Sequence, residues 1–289
     1  MISIGIVTVL FNSDSVLNGF LESLSQQDNK NYVVYLVDNS YTNESTLLIQ
    51  ELTLKWGIKN KIQHIVNNEN VGVARGNNQG IELAIKDNCE YILLANNDIE
   101  FREANLFDFL LSKTAKYKIV APKILYHNTN KIWFAGAHID KYRGLVIHDR
   151  EFEEDVDDEE KYVEYAPTCF LMVAKEVFNN VGLMDEKYFV YWDDTDFIYR
   201  ANNYGYKVLY SPDYTISHKV SISTGGRASL FSTYYFLRNR LYFIKKHFLG
   251  TSYFCSLFYT YTTTIIKIIF YDIERKKTLF KALKDSKHM

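Results

Sequence analysis

Residues 91–98 read Tyr-Ile-Leu-Leu-Ala-Asn-Asn-Asp, an apolar run that halts at an amide-amide-carboxylate tip. Such a run is a buried strand that carries Asp98 to its carboxyl end. In an open α/β sheet, ligands sit outside the carboxyl ends of the strands, and a hard cation with phosphate oxygens is a natural partner for a carboxylate there. Taken alone the tripeptide also fits a plain strand-ending turn, so its neighbours decide.

Those neighbours form a βαβ series. Short β-branched or aromatic runs at 4–11, 32–37, 61–66 and 91–95 alternate with amphipathic stretches near 14–26, 43–56, 74–87 and 103–115. The two periods predict an α/β fold with a mostly parallel central sheet, flanking helices and all strand ends on one rim. Beyond the fourth helix the pattern changes to strand-like segments near 119–126, 131–148 and 162–174, a helix after Asp193 and a long helical tail from Ala228.

Each early strand ends in small polar residues: Thr8 to Asn12, Asp38-Asn-Ser40, Asn67 to Gly72, and Asn96-Asn97-Asp98. Helix capping accounts for some of these. It does not account for Arg75, a cation at a helix start that opposes the macrodipole and calls for an anion nearby. Gly72, Gly76 and Gly80 follow the third strand, not the first, and do not form Gly-x-Gly-x-x-Gly; there is no Gly-Lys-Ser/Thr loop either. Dinucleotide-dependent dehydrogenases and P-loop enzymes are therefore poor fits. What remains are folds that hold a nucleoside diphosphate through a metal and scattered polar contacts.

A second constellation lies at 184–200, where Tyr191 and Trp192 directly precede Asp193, Asp194 and Asp196, with Arg200 one helical turn after Asp196. Acids at a helix start are favoured by the dipole alone. Aromatic residues are not required there, whereas sugar rings stack on such side chains and a neighbouring carboxylate can take a hydroxyl proton.

Bulk properties set the frame. A chain of 289 residues, 47% hydrophobic and 24% charged, buries one large core or one core with a small appendage. Three cysteines without paired spacing argue against a disulfide framework and for a reducing compartment. The apolar start from Met1 reads as a first strand and not as a signal peptide, which predicts a cytoplasmic setting. The net charge of −2 is unevenly spread. Residues 149–160 hold nine acids and one Arg, which predicts a solvated, mobile loop without a catalytic role. From Lys245 onward there are nine Lys and Arg against three acids, which suits an anionic surface, a membrane and not nucleic acid. Ser252–Tyr271 is too polar to span a bilayer. It fits an interfacial helix at the inner face of the cell membrane, or a helix packed on the rest of the chain or on a second subunit of a homodimer.

The succession Asp38-Asn39-Ser40, Asn67 to Gly72 with Ala74-Arg75-Gly76-Asn77-Asn78, Asn96-Asn97-Asp98, Gly182 to Asp185, Trp192 to Asp196 with Arg200, and Gly205-Tyr206 resembles glycosyltransferase family 2, most closely its bacterial rhamnosyltransferase-like members. The resemblance runs from about residue 3 to about 245. It implies a GT-A catalytic domain over 1–245, with a nucleotide-binding half at 1–100 and an acceptor-binding half at 101–245, followed by a basic, aromatic helical tail at 246–289. It also implies inverting transfer from a dTDP- or UDP-sugar, dTDP-rhamnose among them, to a hydroxyl of a glycan or lipid-linked acceptor in surface polysaccharide synthesis. Of the family's metal-binding Asp-x-Asp, only Asp98 is retained, so Mg2+ or Mn2+ would rest on Asp98, His218 and the donor's phosphates. Asp194 matches the base position, with Asp193 beside it. Thr8, Asp38, Asn67, Gly72, Arg75, Asn77, Asn96 and Asn97 resemble nucleotide-sugar contacts, and Tyr191 and Trp192 acceptor contacts. Two other readings stay open: a sugar-1-phosphate nucleotidyltransferase, although Phe11-Asn-Ser-Asp14 is not the expected Gly-rich basic loop, and a non-catalytic nucleotide- or carbohydrate-binding protein.

Overall fold

In the computed structural model, which describes residues 3–12, 14–40, 42–219 and 229–289, the strand ending at Asp98 lies inside a curled ten-stranded sheet. The parallel ladder expected of the βαβ series is present over the first four strands. They are β1 (Ile4–Leu10), β2 (Tyr32–Asp38), β3 (Ile62–Val66) and β4 (Tyr91–Ala95), in the order β3-β2-β1-β4. Helices α1 (Asp14–Ser25), α2 (Asn43–Lys55) and α3 (Val73–Lys86) connect them. β1 and β4 are almost wholly buried, as their unbroken apolar runs require.

The glycines of α3 belong to this packing. A Cβ on Gly80 would stand 2.4 Å from Val7 Cγ1 and one on Gly76 2.9 Å from Val9 Cγ2, so the spacing of four lays one helix face directly on β1. An added methyl at Gly80 overpacks this contact and costs about 1–3 kcal/mol.

The second half is mixed. After β4 come β5 (Ile99–Glu100), α4 (Leu106–Tyr117), β6 (Ile119–Tyr126), β7 (Ile132–Phe134), a separate hairpin of β8 (Ala137–Asp140) and β9 (Leu145–His148), β10 (Lys161–Val163), β11 (Phe170–Ala174), α5 (Lys175–Val181), α6 (Asp193–Tyr204) and β12 (Val208–His218). β11 runs antiparallel to both β4 and β6, and β12 parallel to β6, so the second side of the sheet mixes both kinds of pairing. The segment 131–148, expected as one strand-like stretch, is three strands, because Gly136 and Gly144 turn the chain with φ of +104° and +64°.

The acidic segment 149–160 departs from expectation. Asp155 accepts from the buried Lys123 at 2.7 Å, Asp158 pairs with Arg150 at 3.4 Å, Asp149 pairs with Lys161 at 3.3 Å, and Glu160 pairs with Lys113. Cations from neighbouring elements offset its self-repulsion and tie it to the sheet.

The tail helix expected from Ala228, which lies outside the described residues, is described from Leu230. α7 (Leu230–His247), α8 (Gly250–Phe270) and α9 (Ile273–Asp285) follow, and α7 runs unbroken across the 245–246 boundary. α7 packs Phe243, Ile244 and Phe248 against Ile139, Tyr188 and Trp192, and Leu237 and Leu241 against Leu279 and Ala282 of α9. No described helix is long and apolar enough to cross a membrane.

Candidate functional site

The rim of β4 is shaped by backbone pairing. Asn96 donates its N–H to Cys169 O at 2.8 Å, the chain turns, and β5 then pairs with the end of β12, Ile99 opposite His218. This register sets Asp98 Oδ2 3.3 Å from His218 Nε2. Asp98 Oδ1, His218 Nδ1, Asn97 Nδ2 and Thr8 Oγ1 are buried without a hydrogen-bond partner. A buried carboxylate oxygen with no donor is costly, and a cation relieves it. One carboxylate and one imidazole fit Mg2+ or Mn2+ if phosphate oxygens and water fill the remaining positions. Among the described residues no group of three or more His, Cys, Asp or Glu side chains gathers, so these two are the protein donors at hand.

The other nucleotide candidates divide. Asp38 is fully buried at the end of β2 and accepts from Ser40 N–H at 2.8 Å and Ser45 hydroxyl at 2.7 Å, with His64 Nε2 at 3.4 Å. Burial raises an acid, but these partners outweigh it and hold Asp38 at about 2. Asn67 bonds Asn39 and Gln79 at 2.8 and 2.9 Å, fastening α3 to the strand ends. Gly72 is where Phe189 presses in: a Cβ there would be 2.4 Å from Phe189 O, and Val73 N–H donates to that oxygen at 2.6 Å. Asn77 is buried with its amide on Met184 Sδ at 3.6 Å. Gly72, Asn67 and Asn77 thus each hold a packing or hydrogen-bond contact within the fold, while Asn96 is exposed. Exposed Arg75 has its anion in Glu186, at 4.0 Å. Asn78 bonds Met184 O at 2.9 Å and accepts its N–H at 3.0 Å, so α3 and the 184–186 loop move as one unit.

The acidic-aromatic segment is strained. Tyr191 and Trp192 both adopt left-handed backbone, φ 64° and 71°, at roughly 1–3 kcal/mol each. Fully buried Asn239 of α7 holds this turn by donating to Val190 O at 2.8 Å and Tyr191 O at 2.9 Å. Asp193 and Asp194 then open α6 side by side. Tyr165 hydroxyl donates to Asp194 Oδ2 at 2.6 Å and Thr195 N–H to Oδ1 at 2.6 Å, leaving Asp194 partly accessible. Burial, then the charge of its neighbour, pushes Asp193 well above the usual carboxylate range; burial also raises Asp194 despite the bonds from Tyr165 and Thr195. Asp196 is different: burial is outweighed by His247 at 2.6 Å, Lys246 at 2.7 Å and Arg200 at 2.7 Å, which hold it at about 2. It ties α6 to the end of α7.

The aromatic pair packs toward α7. Trp192 is 8% exposed and packed 5.1 Å from Phe243, and Tyr191 has one face stacked on Phe236 at 4.2 Å. Trp192 is buried against α7 and half-buried Tyr191 stacks on it through one face; the left-handed turn that presents the acids directs both side chains to that helix.

Between the two carboxylate centres runs a wall that sequence reasoning missed. Trp133 meets His218 edge-on at 4.5 Å and His148 at 5.9 Å, His148 lies 5.8 Å from Tyr165, and Tyr165 reaches Asp194. Trp133 Nε1 is buried without a hydrogen-bond partner. The only sequence signal was single aromatic and imidazole residues within short strands. The arrangement can hold a cation and diphosphate at one end and take a proton at the other.

The profile of Glycosyl transferase family 2 matches residues 5–181. The chain is 24% identical over 210 residues to the low-salt glycan biosynthesis hexosyltransferase Agl10 of Haloferax volcanii, a match covering 71% of this chain and 64% of that relative's length. It is 27% identical over 226 residues to the dTDP-rhamnosyl transferase RfbF of Shigella flexneri, covering 74% of this chain and 68% of RfbF. The fold superposes on GalNAc-T7, solved with UDP, GalNAc and Mn2+, with a TM-score of 0.66 at 15% identity, over 85% of this chain and 48% of that one. It superposes on S. aureus TarS 1–349 in complex with UDP-GlcNAc with a TM-score of 0.64 at 13% identity, over 99% of this chain and 80% of TarS.

Proposed function

This chain belongs to glycosyltransferase family 2 and has the GT-A fold, and we propose that it moves a sugar from a nucleoside-diphosphate donor to a hydroxyl of a glycan or lipid-linked acceptor, inverting the anomeric centre. The observation that carries this reading is the pair of carboxylate centres on one rim, Asp98 with an unpartnered oxygen and Asp194 with a raised affinity for protons. Asp98 and His218 would hold a divalent cation together with the donor diphosphate; when bound, the ion supplies positive charge for the leaving group. Asp194 accepts the acceptor hydroxyl's proton as that oxygen bonds to the anomeric carbon. The carbon–oxygen bond to the diphosphate breaks, its electron pair leaving with the nucleotide. One base suffices, because no glycosyl-enzyme forms. Tyr165 and Thr195 fix the carboxylate's orientation, and Asp193, whose burial and charged neighbour raise it well above the usual carboxylate range, sits beside it.

A dTDP- or UDP-sugar is the donor class this reading favours, dTDP-rhamnose included, in surface glycan assembly. The likeness to a dTDP-rhamnosyl transferase and to a hexosyltransferase of glycan biosynthesis supports it. Calorimetry with UDP and with dTDP, each with and without Mn2+, tests it. Metal-dependent binding is expected, weakened about tenfold or more in Asp98→Ala. Equal, metal-independent binding by both proteins would sink the reading.

A further inference from the structure

Helix α8 is turned inside out. Its inward residues are Ser256, Thr260 and Thr264, spaced four apart and at most 4% exposed. On the opposite side Phe254, Phe258, Tyr261, Ile265 and Ile269 recur at helical spacing with 38–75% exposure. A surface helix ordinarily shows the reverse pattern. The inward hydroxyls satisfy themselves along the helix, Thr260 donating to Ser256 O and Thr264 to Thr260 O, both at 2.7 Å. They are small because the β8–β9 turn comes close: a Cβ on Gly144 would stand 3.2 Å from Ser256 Cβ. Exposure continues at the end of α8 with Phe270 at 81%, and on α9 with Ile273 at 69% and Phe280 at 58%. Ile273, Lys277, Phe280 and Lys284 share one face of α9, and all four are exposed.

An apolar stripe of this kind is covered by a second copy of the chain or by lipid, and charge separates the two. Lys246 is paired with Asp185 and Asp196 and Lys245 donates to Ser286 O, but from Lys267 onward seven Lys and Arg still stand against three acids. A twofold contact sets the same patch on both sides and so brings this basic tail against itself. A layer of anionic headgroups supplies the opposite charge. Since no described helix can cross a bilayer, α8, about 31 Å long at 1.5 Å per residue, lies in the plane of the surface. We infer that α8 and the lysine-bearing face of α9 seat this protein on an anionic lipid surface. The hairpin touching α8 at Gly144 ends in His148 beside Tyr165, so seating fixes the candidate site's orientation to that surface.

The test is flotation of the full chain with phosphatidylcholine vesicles, with and without phosphatidylglycerol. Binding to the anionic vesicles is expected. Phe258→Ser with Ile265→Ser lowers partitioning about 100-fold, roughly tenfold per side chain. Lys277→Glu with Lys284→Glu lowers it at least ~25-fold on anionic vesicles, about fivefold per lysine, and leaves neutral vesicles unaffected. Nucleotide binding serves as the folding control for both variants. Failure of the unaltered protein to bind overturns the inference, as does binding that neither variant weakens. A dimer in sedimentation equilibrium that Phe258→Ser with Ile265→Ser splits, without vesicle binding, assigns the face to a second copy.

Discussion

The two carboxylate centres are built by opposite means. Asp98 is delivered by backbone ladders: β4 is pinned between β1 and β11, and β5 on β12 sets its partner His218 by register. Asp194 is delivered by side chains from far along the chain, with Tyr165 on the carboxylate and Asn239 on the strained turn before it. Ladder-built sites tolerate the loss of any single side chain that does not touch the ligand. Side-chain-built sites do not, because one substitution releases the strain that the rest of the fold was holding.

The comparison breaks first at the proposed base, Asp194. Asp194→Asn should lower kcat about 1,000-fold while leaving nucleotide affinity within about twofold, and should leave the melting temperature unchanged or higher, since it relieves a buried pair of acids. In the unaltered enzyme the rate should climb with pH along an acidic limb that lies above the usual carboxylate range, because Asp194 must ionise to act and burial raises its pKa. Full turnover by the Asn variant would remove Asp194 from the chemistry.

Asn239→Ala probes the scaffold of that centre alone. Two carbonyls on a left-handed turn lose their donors, at about 3 kcal/mol in urea unfolding. The acceptor side should lose kcat while Mn2+-dependent nucleotide binding at Asp98 persists. Equal loss at both centres would show that they are not built independently.

The smallest effect comes from a feature the two halves share. Asp38 and Asp196 are each held at about 2, below the unfolded value of 3.8. Depressed acids stabilise the fold above the unfolded pKa and lose that contribution as pH falls through the folded one, so each gives up about 2 kcal/mol between pH ~4 and ~2. Asp38→Asn should flatten that acid dependence by about half in pH-dependent unfolding. An unchanged slope would mean that His64 and Ser45 do not favour the charged form.

The same difference decides how legible each region was. Strand ends β1 to β4 were readable because an unbroken apolar run closing on Asn or Asp reports a buried parallel strand and its rim. The Asp196–Arg200 pair was readable because the helix period alone brings it together. The glycines of α3 were visible but not interpretable, since their spacing acquires meaning only against Val7 and Val9 of β1. Trp133, His148 and Tyr165 were illegible, because mixed pairing in the second half, and not local pattern, lines them up. Tyr191 and Trp192 were visible as aromatic residues beside the acids, but their packing against α7 was not, since nothing local announces a left-handed turn at two aromatic residues. The acidic segment misled because its cations, above all buried Lys123, come from other elements.

Asn239 on α7 has a consequence for how the molecule is made. A ribosome releases β1 to β12 before it releases α7, so every segment of the parallel ladder and the Asp98–His218 corner emerges ahead of the residue that clamps the turn at 190–192. On the proposed roles, the order of synthesis therefore delivers the residues that grip a nucleotide ahead of the one that positions the base. A fragment ending short of residue 239 lacks that clamp and, on the same roles, should bind donor without transferring its sugar.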